Sequence, residues 1–228
     1  MCGRFTLRTP LGLLVERFLF EMYEGEWTPR FNIAPTQPVA AVRVVEPEAP
    51  RQLCQLRWGL IPSWAKDRAI GNSLINARGE TVAEKPSFRS AFTRRRCLVL
   101  GDGYYEWKKA VAPAKKQPYY IHLADGGPFA MAGLWEAWRD ETGETVESCT
   151  IITTSANEHI ATIHDRMPVI LDEADYAVWL DPACADRAAL QELLRPAPAD
   201  RLVADPVSTL VNSPRNDSPE CIRPVPLA

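Results

Sequence analysis

Cys2 stands directly behind the initiator methionine. Cells trim methionine before a residue this small, so the mature chain is expected to begin at Cys2. That end would carry an amine and a thiol on adjacent carbons. Their ordinary pKa values are about 8 and about 8.5, so part of each is nucleophilic near neutrality. An internal cysteine adds to a carbonyl carbon through sulfur alone. A terminal one can condense with an aldehyde through nitrogen and then close a stable thiazolidine ring through sulfur. Read without the rest of the chain, the same residue also fits an ordinary small side chain at a frayed end.

Other residues could move protons around such a centre. Glu106 lies between Tyr105 and Trp107, behind the glycine-flanked turn Gly101-Asp102-Gly103. A carboxylate among aromatics has its pKa raised, which suits proton transfer near pH 7. The plainer reading is a Glu paired with an Arg or Lys at a strand edge. His164 titrates near neutrality and precedes Arg166 by two positions, so both can face one site if the stretch before Pro168 is extended. A lone His is otherwise a structural residue. Asn76, Arg78 and Glu80 alternate, and an extended backbone would turn them to one face.

The elements that must position these groups are short, in a chain with 20 prolines. Thr9 as N-cap, Pro10 at the first helical position and apolar Leu11, Leu14, Val15, Phe18 and Leu19 predict a helix ending near Glu24-Gly25. Strands are expected at 39–45 and 52–58, joined as a hairpin, and at 97–100, 119–123, 129–138 and 148–154. Shorter helices are expected at 157–163, at 172–180 behind an Asp172 cap, and at 186–194. Residues 110–116 form a Lys/Ala/Pro loop. Gly59 and Pro62 break the stretch between two tryptophans, with Trp58 expected in the core and Trp64 exposed before polar residues 65–68. Arg94-Arg95-Arg96 reads as a solvated basic face.

The bulk numbers fit one globular domain over residues 1–228 with a sizeable core: 46% of residues are hydrophobic and 24% charged. No apolar run is long enough to span a membrane. No basic-then-apolar leader opens the chain, which predicts the cytosol. Cysteines 2, 54, 97, 149, 184 and 221 are scattered, without a Cys-x-x-Cys pair, so reduced thiols and no zinc are expected. Net charge is only −3, but residues 1–120 hold 19 Lys and Arg against 11 Asp and Glu, while residues 121–228 hold 7 against 18. That asymmetry is compatible with a basic face for phosphates, or with halves that interleave in space.

Eight segments, in order, resemble the SRAP family, the SOS response-associated peptidases or abasic-site processing proteins: MCGR at 1–4, FNIAPTQ at 31–37, RWGLIPSW at 57–64, INARGET at 75–81, DGYYEWKK at 102–109, TTSAN at 153–157, IHDRMPVIL at 163–171 and VSTLVNSPRND at 207–217. The resemblance implies an α+β fold, a single compact domain with a curved, mainly antiparallel, barrel-like core and peripheral helices. It implies covalent attachment to abasic sites in single-stranded DNA, by a monomer needing no cofactor. A strand-cleaving side activity and self-removal of Met1 are further possibilities it raises. By position, Cys2 resembles the nucleophile, Asn76 the residue that orients it or the sugar, Glu106 the acid/base of ring opening and imine formation, and His164 the second proton-transfer group. Arg4, Arg78 and Arg166 resemble phosphate ligands, with Thr153 as a hydroxyl donor. Trp64, Trp107 and Pro35 would hold or wedge flanking bases, although Ala65 follows Trp64 where the family has a second aromatic.

Three other readings compete. Glutamine amidotransferases of the N-terminal-nucleophile kind also open with Met-Cys-Gly, but their Asn-Gly-Glu segment is missing here. A thiol peptidase would pair Cys2 with His164. A non-catalytic single-strand binding module would use the arginines and tryptophans alone.

Overall fold

The computed structural model describes residues 2–21, 25–109 and 116–226. Among these residues the strands are β1 (Phe5–Leu7), β2 (Arg30–Ile33), β3 (Pro38–Arg43), β4 (Gln52–Trp58), β5 (Asn76–Arg78), β6 (Arg96–Gly101), β7 (Gly103–Lys108), β8 (Gln117–Leu123), β9 (Phe129–Arg139), β10 (Thr145–Ser155), β11 (Arg166–Pro168), β12 (Ile170–Leu171) and β13 (Leu202–Pro206). One sheet has the order β13-β8-β7-β1-β2, with every pair antiparallel. In the other, β4, β3, β6, β9 and β10 close into a ring, antiparallel except where β4 meets β10. The architecture is α+β with a barrel-like core, and closure leaves those five strands little free edge.

Strand β10 organises the functional end. Its first half pairs with β9 and β4. Its second half leaves the ring and lies between parallel β5 and antiparallel β11, with Thr153 opposite both Arg78 and Pro168. Strand β1 sits inside the smaller sheet, between β2 and β7, and delivers the residues before Phe5 to the edge of β7. This junction is tight. A Cβ on Gly103 would lie 2.1–2.3 Å from the Tyr120 ring, so glycine alone lets Tyr120 cross β7. Asp102 secures the same corner: its carboxylate accepts from Thr6 Oγ1 (2.5 Å), Arg8 N (2.6 Å), Thr9 N (2.8 Å) and Thr9 Oγ1 (2.8 Å).

Several expectations are met to within a few residues. The 39–45/52–58 hairpin is β3–β4, and Asn157 caps a helix through Ile160 N. Trp58 is fully buried and Trp64 is 58% exposed. All six cysteines are free thiols.

Others are corrected. Helix α1 spans Leu11–Phe18 and has no side-chain cap, because the Thr9 hydroxyl is taken by Asp102. It closes at Leu19, whose φ of 54° is left-handed, well short of Gly25; Glu24 lies outside the described residues, as does the expected loop except Lys116. Helix α2 (Arg89–Arg94) runs into Arg96, which is buried rather than solvated. Helix α3 is Glu158–Ala161. The 172–180 segment divides into a 3-10 turn at Glu173–Asp175 and α4 (Tyr176–Leu180). Asp172 caps neither; its carboxylate pairs with Arg195 and Arg201. Helix α5 (Arg187–Glu192) is capped by Asp186. No helix among the described residues is long and apolar enough to cross a membrane.

Candidate active site

The end of the chain is threaded into the protein. Arg4 O accepts from Tyr105 N (3.0 Å), which continues the β1–β7 ladder and brings Cys2 alongside β7. Cys2 is fully buried. Its carbonyl accepts from Asn76 Nδ2 at 2.8 Å, and its Sγ faces Arg4 O at 4.0 Å. The other end of the Asn76 amide, Oδ1, is buried without a hydrogen-bond partner among the described residues. Burial, reinforced by the Glu106 charge, pushes the Cys2 thiol far above its ordinary range. With Cys2 in a peptide bond to Met1, the sulfur is therefore a neutral thiol, not the partly ionised nucleophile an exposed terminus would offer.

Glu106 projects from β7 and is 3% exposed. Burial lifts its carboxyl to about 7, and the Asp165 charge adds to the effect. Its Oε2 lies 3.9 Å from His164 Nε2. His164 reaches this place because the turn after α3 is fixed: His164 N donates to Ile160 O (3.0 Å), and Ala156 N to Asp165 O (3.0 Å). Arg166 N donates to His164 Nδ1 at 3.0 Å. That bond engages the Nδ1 lone pair and assigns the proton of the neutral ring to Nε2, facing Glu106. Burial lowers the His164 pKa, against the exposed Asp165 carboxylate 3.0 Å from Nδ1. Near neutrality the pair is thus a half-ionised carboxyl beside a neutral imidazole N–H, able to accept and return a proton.

The same burial fixes a pH signature. An unfolded Glu titrates near 4.3, whereas Glu106 titrates at about 7. Glu106 therefore favours the native state fully below about pH 4, and that contribution is lost as pH rises through 7. Glu106→Gln, which keeps the neutral shape, is expected to stabilise the protein by about 3–4 kcal/mol at pH 8 and by nearly nothing towards pH 4. Thermal melts across that range check it, and a pH-independent difference would refute the raised pKa.

The arginines are placed together but not left equally open. Strands β5, β10 and β11 bring Arg78, Thr153 and Arg166 side by side. Arg78 is exposed, and its side chain makes no hydrogen bond among the described residues. The Arg166 guanidinium is clamped by both oxygens of Glu80 and also donates to Thr153 O (2.7 Å) and Thr153 Oγ1 (3.3 Å). Arg4 donates to Asn32 Oδ1 (2.9 Å), Val211 O (2.8 Å) and Asn212 O (3.3 Å). So Arg4 and Arg166 are tied to protein groups in this state, whereas Arg78 is not. Glu80 lies in the turn beyond β5, where it meets Arg166.

The aromatic groups occupy secured loops. Gly59, with φ of 128°, makes the bend after Trp58, and its N–H donates to Cys149 O (2.8 Å). The bend is held by Ile61 N to Ser148 Oγ (2.8 Å), Ser63 N to the buried Glu136 (3.2 Å) and Trp138 Nε1 to Ala65 O (2.7 Å). Trp64 thus projects from a fixed base. Half-buried Pro35 lies on the adjoining turn, joined to the bend by Thr36 N to Trp58 O (2.8 Å). Trp107 is half-buried and donates from Nε1 to Asn212 Oδ1 (2.7 Å).

Residues 1–214 match the family profile described as SOS response associated peptidase (SRAP). The chain belongs to the SRAP family. It is 46% identical over 224 residues to the abasic site processing protein YoqW of Bacillus subtilis, covering 97% of this chain and 99% of that one. The mouse abasic site processing protein HMCES is 32% identical over 274 residues, covering 100% of this chain and 77% of the mouse protein. A solved structure of a protein from Bacteroides thetaiotaomicron superposes with a TM-score of 0.86 at 27% identity, over 98% of this chain and 100% of that one.

Two features of this SRAP chain were missed from sequence. Tyr104 is fully buried, and its hydroxyl has no hydrogen-bond partner among the described residues. Burial pushes its pKa far up, with the Cys2 and Glu106 charges adding to it, so the hydroxyl shares their surroundings. The alternation of Tyr104 with Glu106 along a strand was the available signal. The segment around Val211 and Asn212 lines the site through Arg4 and Trp107, and no local pattern announces that.

Proposed function

We propose that this SRAP chain, with residues 1–228 acting as one monomeric unit, captures abasic sites in single-stranded DNA as a covalent thiazolidine through Cys2 after Met1 is removed. The observation that carries the reading is the convergence on one point of Cys2, the Asn76 amide bonded to its carbonyl, and the Glu106–His164 pair 3.9 Å apart. The names of the YoqW and HMCES relatives support the same substrate.

The chemistry balances with the groups present. The open-chain abasic sugar has an aldehyde at C1′. The Cys2 amine, freed of its proton by Glu106, attacks that carbon. The carbinolamine loses its hydroxyl as water, taking a proton from the Glu106 carboxyl, and the protonated imine left behind returns its N–H proton to the Glu106 carboxylate. The thiol then adds across the C=N bond, carbon to sulfur and proton to nitrogen, and the ring closes. As the furanose opens, the Glu106–His164 pair would take the C1′ hydroxyl proton and return one to the ring oxygen, and Asn76 would hold the Cys2 backbone through both steps. No metal or cofactor is needed for the balance.

Arg78 would take a phosphate directly, while Arg166 would do so after release from Glu80, with the Thr153 hydroxyl beside it. Such contacts position a strand without reading its sequence. The encounter should then be salt-sensitive and the adduct salt-resistant. Trp64 and Pro35 would fill the space beside the missing base, at low unstacking cost. Trp64→Ala is expected to weaken non-covalent binding by about 1–3 kcal/mol and leave thermal stability unchanged, since the ring is exposed. Fluorescence anisotropy on single-stranded DNA measures it, and unchanged affinity would remove Trp64 from the interface.

The thiol-peptidase reading requires His164 to take the Cys2 proton. Its Nδ1 instead accepts from Arg166 N and its Nε2 faces Glu106, which favours the carboxyl as the proton-transfer partner. The test of the proposal incubates the purified protein with a single strand carrying one abasic site and then denatures the mixture. A heat-resistant shifted band is expected; its absence would overturn the reading.

A further inference from the structure

We propose that the open cleft between α2, α5 and the turn after β5 is a second track for the sugar–phosphate backbone of single-stranded DNA, taking the strand beyond Arg78. This rests on the DNA reading above and adds a site to it. The lining includes Arg89, Arg94, Arg95 and Arg187, with one carboxylate, Glu84. Arg95 is neutralised by its ion pair with Glu136 and donates to Ser90 Oγ (2.9 Å). Arg89, Arg94 and Arg187 are exposed and form no ion pair among the described residues.

What marks the place is that the three stand in one concavity. The chain carries more acid than base, with a net charge of −3, and Arg17, Arg30, Arg43, Arg166, Arg195 and Arg201 each rest against a carboxylate. Three guanidinium groups left uncompensated in one concavity set up a local field for a polyanion, and their planar forks match phosphate oxygens.

The cleft is also rigidly joined to the Arg78 turn. Thr81 N donates to Arg78 O, Glu84 N and Lys85 N to Thr81 O, and Phe88 N and Arg89 N to Lys85 O, so an unbroken ladder runs from Arg78 into α2. From the other wall, Gln191 Nε2 donates to Gly79 O at 2.7 Å, and Arg187 lies one helical turn before Gln191 on the same face of α5. A strand seated on Arg78 and following this ladder brings its next phosphates over the cleft.

The test compares wild type with the triple variant Arg89→Ala/Arg94→Ala/Arg187→Ala, on two strands that each carry an abasic site. One spans only the lesion and its immediate neighbours; the other is several times longer. The variant is expected to crosslink the short strand at the wild-type rate. On the long strand it should bind at least tenfold more weakly at low salt, and its slope of log affinity against log salt should fall by about 2, near 0.7 for each of the lost contacts. The triple Arg→Lys variant, which keeps the charges, should recover most of that slope. Equal affinity and slope on the long strand would overturn the track. The same slopes measured on undamaged long DNA keep the two readings apart: a loss there without crosslinking anywhere would sink the Cys2 chemistry and leave the cleft standing. The three side chains are exposed, so melting transitions should match wild type; a shifted melt together with wild-type DNA affinity also counts against the track.

Discussion

Cys2→Ala is expected to abolish the denaturation-resistant adduct while changing equilibrium binding to single-stranded DNA no more than a few-fold. The adduct needs nitrogen and sulfur on adjacent carbons, and alanine keeps only the amine. It can still form an imine, which hydrolyses on heating because no sulfur closes the ring. Cys2→Ser separates the steps further: borohydride should trap its imine, yet without reductant no heat-stable band should survive. The phosphate and aromatic contacts proposed above come from Arg78, Arg166, Thr153 and Trp64, whereas the hydrogen bonds of Cys2 go to Asn76 and Arg4, so affinity should persist. A second measurement guards the premise. Mass spectrometry of the wild-type protein should find Met1 absent from every crosslinked molecule; full-rate capture by chains that retain it would refute attack by the Cys2 amine.

The largest stability effect is expected at Arg96. Its side chain is 2% exposed and faces a ring of backbone oxygens. Nε donates to Trp179 O (2.6 Å), and Nη1 to Phe92 O (2.8 Å) and Thr93 O (2.7 Å). Nη2 donates to Asp181 O and to Cys184 O (3.4 Å). All but the Cys184 oxygen lie at the C-terminal ends of α2 and α4, where a helix runs out of its own donors and favours a cation. Arg96→Leu keeps the apolar volume but strands the oxygens away from water. The cost should be about 3–5 kcal/mol, or about 10 °C in melting temperature for a chain of this length. Arg96→Lys should recover part of it, since an ammonium cannot span the whole ring. Melting followed by circular dichroism decides the matter, and a loss under about 1 kcal/mol would show that water reaches these carbonyls.

Arg96 also marks where local sequence stops being informative. In the chain it is the third of three consecutive arginines, and nothing nearby distinguishes it from its neighbours. Its fate is set in part by carbonyls more than eighty positions away. What could be read was what depends on neighbours: the β3–β4 hairpin, the short helices begun near Asn157 and Asp186, and the opposite burial of Trp58 and Trp64 on either side of a Gly/Pro bend. What could not be read was who competes for a side chain. Thr9 has the residue type of a helix cap, yet Asp102 claims its hydroxyl. Leu19 continues an apolar helical face, yet it adopts the left-handed turn that ends α1. In the site, the raised carboxyl of Glu106 was legible from its aromatic neighbours. The clamp of Glu80 on Arg166 was not, because alternation placed Glu80 beside Asn76 and Arg78 and said nothing about the arginine 86 positions later.

The ties from Arg4 and Asn32 to the segment at Val211–Asn216 set an order of events during synthesis. Arg4 leaves the ribosome among the first residues and bonds a carbonyl made 207 positions later. At about 5–20 residues per second, the interval is roughly ten to forty seconds. Throughout it the nascent front end stays unlatched and open to a trimming enzyme, whereas in the finished fold Cys2 is fully buried. On the proposed Cys2 chemistry, a trimming aminopeptidase would find its open substrate in that interval, before the latch forms.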